Sequence, residues 1–243
     1  MPESLAITHL LNHLFGGLVS SVLHAVGVSS SPATAIDDAT AIELLVVLGL
    51  IAFFALVRLT LSVEKPNPAQ QIAEMIHEFT GSQADQVIGH GYERFQAFVT
   101  CVFLFAVLNN LAGLIPGIDT PTARPVVPLG IAVLTFLYYN FHGVRVQGPI
   151  GYLKHFAGPV WWLAPLLFPV EIISHLARVM SLTIRLYANM LASDLLTLIC
   201  FSMLPLIAPS AFLGLHFLVS ILQAYVFMLL SMIYLSMAVS HEH

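Results

Sequence analysis

The sequence predicts an all-α, multi-span membrane protein, and three observations carry that expectation. Of its 243 residues, 58% are hydrophobic and only 9% are charged, where a soluble domain carries about 25% charged residues. Mean hydropathy is +0.90. Apolar runs long enough to cross a hydrocarbon core of about 30 Å recur along the chain. Finally, residues 170–204 hold neither Pro nor Gly, so nothing local breaks a very long helix there. This composition excludes a disordered chain and argues against a nucleic-acid binder or a cytosolic enzyme. The net charge of -5 rests on few groups and says little.

The elements follow in order. Residues 1–40 form an N-terminal segment, and 41–243 form one integral membrane domain. The stretch 4–27 is apolar but interrupted by His9, Asn12, His13, Ser20, Ser21 and His24. It predicts an interfacial amphipathic helix rather than a span. His9, His13 and His24 share a helical face; a wet polar face is the preferred reading over a metal site. No Lys or Arg precedes Arg58, so a signal or transit peptide is not expected. A first span is expected at about 41–62, ending at Arg58, Lys65, Pro66 and Pro68. A polar helix too hydrophilic to cross follows. Further spans are expected at about 95–115, stopping at Ile115-Pro116-Gly117, and at about 127–147. A loop with Lys154 then leads to an apolar piece carrying Trp161 and Trp162. Pro159, Pro165 and Pro169 punctuate it, which predicts a re-entrant or interfacial piece. The last two elements are helices at about 169–204 and 209–239, turned by Pro205 and Pro209. Cys101 and Cys200 are expected as buried free thiols.

The eight Lys and Arg residues sort by side. With the N-terminus outside, Arg58, Lys65, Arg94, Arg145 and Lys154 all fall in the cytoplasm and Arg124 alone falls outside, which is the positive-inside pattern. Arg178 and Arg185 remain inside an apolar helix. That helix, at about 52 Å, is far longer than the membrane core is thick, so a steeply tilted hairpin is expected.

Glu171, Ser174, Arg178, Ser181, Arg185 and Asn189 are spaced by three or four residues and form one stripe on a helix. His216, Ser220, Gln223, Ser231 and Tyr234 do the same on the last helix. Two polar stripes on paired membrane helices make a water-accessible path, between them or against a partner. Arg178 lies near enough to one end to reach water. Arg185 is deeper, keeps its charge, and needs an acidic partner. Asp194 lies nine residues on, which turns it to the opposite face. The partner carboxylate of Arg185 is therefore expected on another subunit. Folding the hairpin back brings Asp194 level with the His216 region and Asn189 level with Gln223. Asp194 and His216 would form a titratable pair near the outer side, each able to take and hand on a proton.

The stretches 181–197 (SLTIRLYANMLASDLLT) and 215–238 (LHFLVSILQAYVFMLLSMIYLSMA) closely resemble the a subunit of F-type ATP synthases. Residues 110–117 (NLAGLIPG) resemble its second-span signature. The likeness covers about 95–240. It implies a static proton channel facing a rotating ring of c subunits, with b-type peripheral stalk subunits and the rest of the complex as partners, in a bacterial inner membrane. By this resemblance Arg185 matches the essential arginine facing the ring, Asn189 the asparagine one turn beyond, and Gln223 the glutamine beside the arginine. Asp194 and His216 match the inlet positions; Glu171, Ser174 and Arg178 match polar positions towards the cytoplasmic exit. Ala188 and Ser193 stand where the family often has Gly, small for small. No cofactor, metal or nucleic acid is implied. ATP chemistry falls to other subunits, since no Gly-rich phosphate loop is present. Among rivals, a metalloprotease motif begins at His77-Glu78, but Gly81 replaces its second His. A stand-alone transporter would show two related halves, and no such repeat is visible.

Overall fold

The computed structural model describes the backbone of residues 6–25, 36–62, 65–115, 118, 120–148, 164–203 and 207–239. Among these residues there are helices and loops and no strand. The helices are α1 (Ala6–Ala25), α2 (Asp38–Leu59), α3 (Pro68–Ile88), α4 (Glu93–Ala112), α5 (Val126–Gln147), α6 (Ala164–Met203) and α7 (Ile207–Val239), with a 3-10 turn at Pro121–Ala123. Five stretches are long and apolar enough to cross a membrane: Asp38–Leu59, Glu93–Ala112, Val126–Val146, Pro165–Cys200 and Ser210–Val239. The chain is thus an all-α protein with five membrane-length helices.

Local chemistry sets the helix ends. Asp37 caps α2, its carboxylate accepting the Asp38 N–H at 2.9 Å, which satisfies one of the donors a helix start leaves open. The span therefore starts at Asp38, ahead of the apolar run. Asp37 also pairs with Arg124, ahead of α5, so the start of α2 and the start of α5 lie at one end of the bundle. α3 opens on Pro68, where a missing N–H is harmless, and closes at Gly89 with φ 78, a conformation suited to Gly. On α1, Asn12 clamps the Ile36 backbone, giving its Nδ2–H to the carbonyl and taking the amide N–H, both at 2.9 Å. His9, His13 and His24 of α1 are exposed.

The long helix differs from expectation at its start. α6 runs for 40 residues with Pro169 inside it, about 60 Å, and it takes in residues expected in a broken interfacial piece. Pro165 costs nothing there, because the first turn of a helix has N–H groups without helical acceptors. Pro169 removes only one bond, to the carbonyl of Pro165. By the same logic α7 begins at Ile207 and includes Pro209. Lys154, Pro159, Trp161, Trp162 and the turn at Pro205 lie outside the described residues. Cys101 and Cys200 are free thiols, as expected, but neither is buried: Cys101 is exposed and Cys200 half-buried.

α6 and α7 form an antiparallel hairpin, as the pairs Asp194–His216, Asn189–Gln223 and Arg178–Tyr234 show. α7 also packs on α3, α4 and α5. The core that holds the hairpin is apolar. Leu182, Leu186 and Met190 of α6, spaced by four, pack with Phe227 of α7, Val102 of α4, and Val127, Ile131 and Ala132 of α5. Met228 and Met232 of α7 pack on Ala84 and Val99, and Phe95, Tyr139, Leu235 and Ala238 form a third cluster. The opposite faces of the spans expose Leu, Ile and Val, including Leu48, Ile51, Leu134, Leu137, Ile184 and Leu222. Hydrocarbon solvates such side chains without the cost that water would impose.

Candidate functional site

Three polar groupings lie along α6. The first is near its C-terminal end. Asp194 Oδ1 is 3.3 Å from His216 Nδ1 and accepts the Thr120 hydroxyl at 2.9 Å. The Ser193 hydroxyl lies 2.9 Å from the same imidazole nitrogen. His216 is 1% exposed, whereas the Asp194 side chain is 30% exposed. The pair therefore has a buried base and an acid that opens outward.

α4 supplies the far wall, because it ends there. The last four carbonyls of a helix have no partner within it, and α4 stops at Ala112. The freed Asn110 carbonyl accepts from His216 Nε2 at 3.2 Å and from the Ser220 hydroxyl at 3.4 Å. The Asn110 side chain donates to the Ser220 carbonyl at 3.1 Å and accepts the Thr122 hydroxyl at 2.7 Å. Gly113 makes this fold-back possible: a Cβ there would overlap the Thr120 hydroxyl and lie 2.9 Å from Thr120 Cβ. The loop between α4 and α5 thus delivers Thr120 and Thr122 to a site built on the hairpin.

The second grouping is mid-helix. Asn189 Nδ2 donates to Gln223 Oε1 at 2.8 Å, and Gln223 is buried. Arg185 is exposed. Among the described residues no carboxylate lies within ion-pairing distance of its guanidinium. The third grouping is towards the N-terminal end. Glu171 Oε1 is 3.4 Å from His175 Nε2 and 3.9 Å from Arg178 Nη2. His175 Nδ1 is 2.9 Å from the Tyr139 hydroxyl, and the Arg178 guanidinium sits 5.3 Å from the centre of the Tyr234 ring. Ser174 is half-buried beside them. Along the helix, Arg185 stands about 14 Å from Asp194 and about 21 Å from Glu171.

The structure brings Asp194 to His216, Asn189 to Gln223, and Glu171 to Arg178. The two polar stripes touch at Asn189–Gln223 and Arg178–Tyr234 but do not face each other along their whole length. His216, Ser220, Gln223 and Ser231 of α7 point into the protein, while Ser181, Arg185 and Asn189 of α6 are exposed. One long side of the site is thus left open. Sequence reasoning passed over Asn110, Thr120, Thr122, Tyr139 and His175. Two adjacent asparagines in an apolar span, and the four-residue step from Glu171 to His175, were signals for two of them. Among the described residues no three His, Cys, Asp or Glu side chains gather as a metal site.

Comparison with known proteins gives one answer. The family described as ATP synthase A chain matches residues 40–236. The chain is 48% identical to the ATP synthase subunit a of Koribacter versatilis over the full length of both. It is 46% identical to that of Solibacter usitatus, over 83% of this chain and 86% of the relative. It is 44% identical to that of Bdellovibrio bacteriovorus, over 71% and 75%. A match that takes in every membrane-length helix and all three polar groupings means that the chain belongs to the ATP synthase A chain family.

Proposed function

We propose that two offset half-channels in this chain load and unload the carboxylates of a rotating ring of c subunits. The family itself is the non-catalytic, proton-translocating membrane subunit of F-type ATP synthases, with catalysis on other subunits. The protein is accordingly a multi-pass membrane subunit of a rotary, ATP-forming complex.

In this reading a proton enters from outside past Thr120 to the Asp194–His216 pair. From there it neutralises a c-subunit carboxylate, which then turns into lipid. After nearly a full turn the carboxylate meets the cytoplasmic half-channel near Glu171, Ser174 and Arg178 and gives up its proton. Arg185 keeps the two half-channels apart: its fixed charge favours the ionised carboxylate as it passes and repels a proton moving straight through. Asn189 and Gln223 brace the helix turn beside it. The driving force is about 2.3 kcal/mol per proton per 100 mV.

The observation that carries this reading is Arg185: a permanent cation on the open side of a membrane-length helix, with no acid near it among the described residues. An unpaired central Arg costs about 2.5–3.5 kcal/mol even on permissive scales, so a carboxylate from a partner fits that face. The b-type peripheral stalk subunits are the static partners in this reading. The N-terminus is outside and the C-terminus cytoplasmic. Charge placement supports this, since Arg124 pairs with Asp37 at the start of α2, at the opposite end of α2 from Arg58. The test is Arg185→Ala in the assembled complex in vesicles. ATP-driven acidification should vanish while the subunits still co-purify; normal acidification would overturn the proposal.

A further inference from the structure

The α6 helix carries a second carboxylate–imidazole pair. At one end Asp194 meets His216 at 3.3 Å; at the other Glu171 meets His175 at 3.4 Å. We propose that His175 is a proton acceptor of the cytoplasmic half-channel, taking the proton that Glu171 receives and holding it before release. The inference rests on the proposed half-channels and adds to them a residue outside the polar stripe.

Several features of the site support it. His175 is buried at 8% exposure, and both of its ring nitrogens face a group able to exchange protons. Nε2 faces Glu171, whose side chain is one-third exposed and so opens to the outside of the protein. Nδ1 faces the Tyr139 hydroxyl at 2.9 Å, a group that donates to a neutral ring or accepts from a charged one. Tyr139 is 2% exposed, so the ring keeps a hydrogen-bond partner in both charge states without needing water on that side. The transfer balances simply. The Glu171 carboxyl O–H breaks and an N–H forms at Nε2, leaving a carboxylate beside an imidazolium. Loss of that N–H proton to water on the Glu171 side restores the starting state.

The charged and titratable groups around the ring favour a proton that comes and goes. Glu171 and Arg178 lie on its own helix, Tyr139 comes from α5, and Tyr234 of α7 lies tilted beside Tyr139, with ring centres 6.1 Å apart, and beneath Arg178. Glu171 favours the imidazolium, while Arg178 opposes it. Histidine is the side chain that changes charge between about pH 5 and 8. Its position also keeps it clear of the ring face. It lies ten residues from Arg185, about 80° round an ideal helix, and faces the protein rather than the open side.

The experiment uses the whole complex in vesicles and measures ATP-driven acidification as the pH on the Glu171 side is stepped from about 5.5 to 8, spanning the range in which histidine titrates. His175→Gln keeps a polar group of similar size but cannot hold a proton. It should slow flux about tenfold, less than a directly positioned acid–base group contributes because water substitutes in part. The pH dependence of flux in this range should flatten. Imidazole in the medium should restore flux to His175→Ala and not to Arg185→Ala. Wild-type flux in His175→Gln, or a loss that leaves the pH profile unchanged, would overturn the proposal. If the Gln variant fails to assemble, Tyr139→Phe carries the same test. It keeps the ring and removes the hydroxyl that faces Nδ1, so an unchanged pH profile would again overturn it. Failure of the half-channel reading is distinct, because it shows as normal acidification by Arg185→Ala.

Discussion

Gly113→Ala offers a sharp test of how the outer grouping is built, because it acts on Asp194 without touching it. The added Cβ would overlap the Thr120 hydroxyl, and it would lie 2.9 Å from Thr120 Cβ and 3.3 Å from its Cα. The first two separations are shorter than real Cβ atoms tolerate, and neither the Thr120 Cβ nor its backbone Cα moves when the side chain rotates. Rotating the Thr120 side chain does not suffice, so the loop must move outward. Thr120 then loses its 2.9 Å bond to Asp194. A hydrogen bond to a charged group contributes about 1.5–3 kcal/mol. If that bond helps hold Asp194 where it exchanges protons, the variant should transfer protons about ten- to a hundredfold more slowly. The assay is passive proton flux through the membrane sector in vesicles stripped of the catalytic sector, with co-purification of subunits as the control. Thr120→Val, which removes the hydroxyl at nearly constant shape, should reproduce most of the loss, and Thr120→Ser should restore it. Adding Gly113→Ala to Thr120→Gly should cost little more than Thr120→Gly alone, since the two closest conflicting atoms are gone and only the 3.3 Å approach to the Cα remains. Wild-type flux in Gly113→Ala would refute the reasoning. So would a full loss in Gly113→Ala alongside normal flux in Thr120→Val.

Three further outcomes are expected. Arg178→Ala should be much milder than Arg185→Ala in ATP-driven acidification, because Arg178 has Glu171 at 3.9 Å and lies near the helix end; equal losses would count against the assignment. Asp194→Asn should slow proton uptake severely and Asp194→Glu much less, and Asp194→His with His216→Asp should do better than either single change. Strictly additive losses in flux would remove the pair from the mechanism. Both helices of the α6–α7 hairpin should lie steeply tilted in the assembled complex, because α6 is about 60 Å long and the core about 30 Å thick. A structure in a bilayer with both helices within about 20° of the normal would contradict this.

Much of this architecture is legible along the chain. Period and length mark the five membrane-length helices, since an apolar run that crosses a membrane must satisfy its backbone within itself. The spacing of Asp194, Asn189, Gln223 and His216 about a single turn yields their pairing, because an antiparallel hairpin turns sequence distance into depth. Other features are not written locally. The Asn110 carbonyl becomes a partner for His216 only because α4 ends beside it, and no property of the asparagine side chain announces that. Thr120 and Thr122 reach the site through a loop whose path depends on the bare Gly113. Pro165 and Pro169 read as helix breakers, but Pro165 sits in the first turn of α6, where a missing N–H costs nothing, and Pro169 removes a single bond just beyond it. Which side of each polar stripe faces inward is a tertiary property: α7 turns its stripe into the protein, and α6 turns part of its own stripe out.

The Asn110 carbonyl also decides how His216 can operate. A carbonyl oxygen only accepts, so the 3.2 Å contact requires the hydrogen of a neutral His216 ring to sit on Nε2. Nδ1 is then the basic nitrogen, turned to Asp194 and Ser193. A proton picked up at Nδ1 has no forward exit, because the far nitrogen abuts an oxygen with nothing to exchange and the end of α4 behind it. It must leave by the atom through which it arrived. In the proposed inlet His216 is therefore a one-terminal capacitor, charged and discharged from its Nδ1 side, and not a wire. There the closed back wall stops protons from escaping sideways into the helix bundle, and it leaves the Nδ1 side, where Ser193 and the outward-opening Asp194 lie, as the side on which the store is filled and emptied.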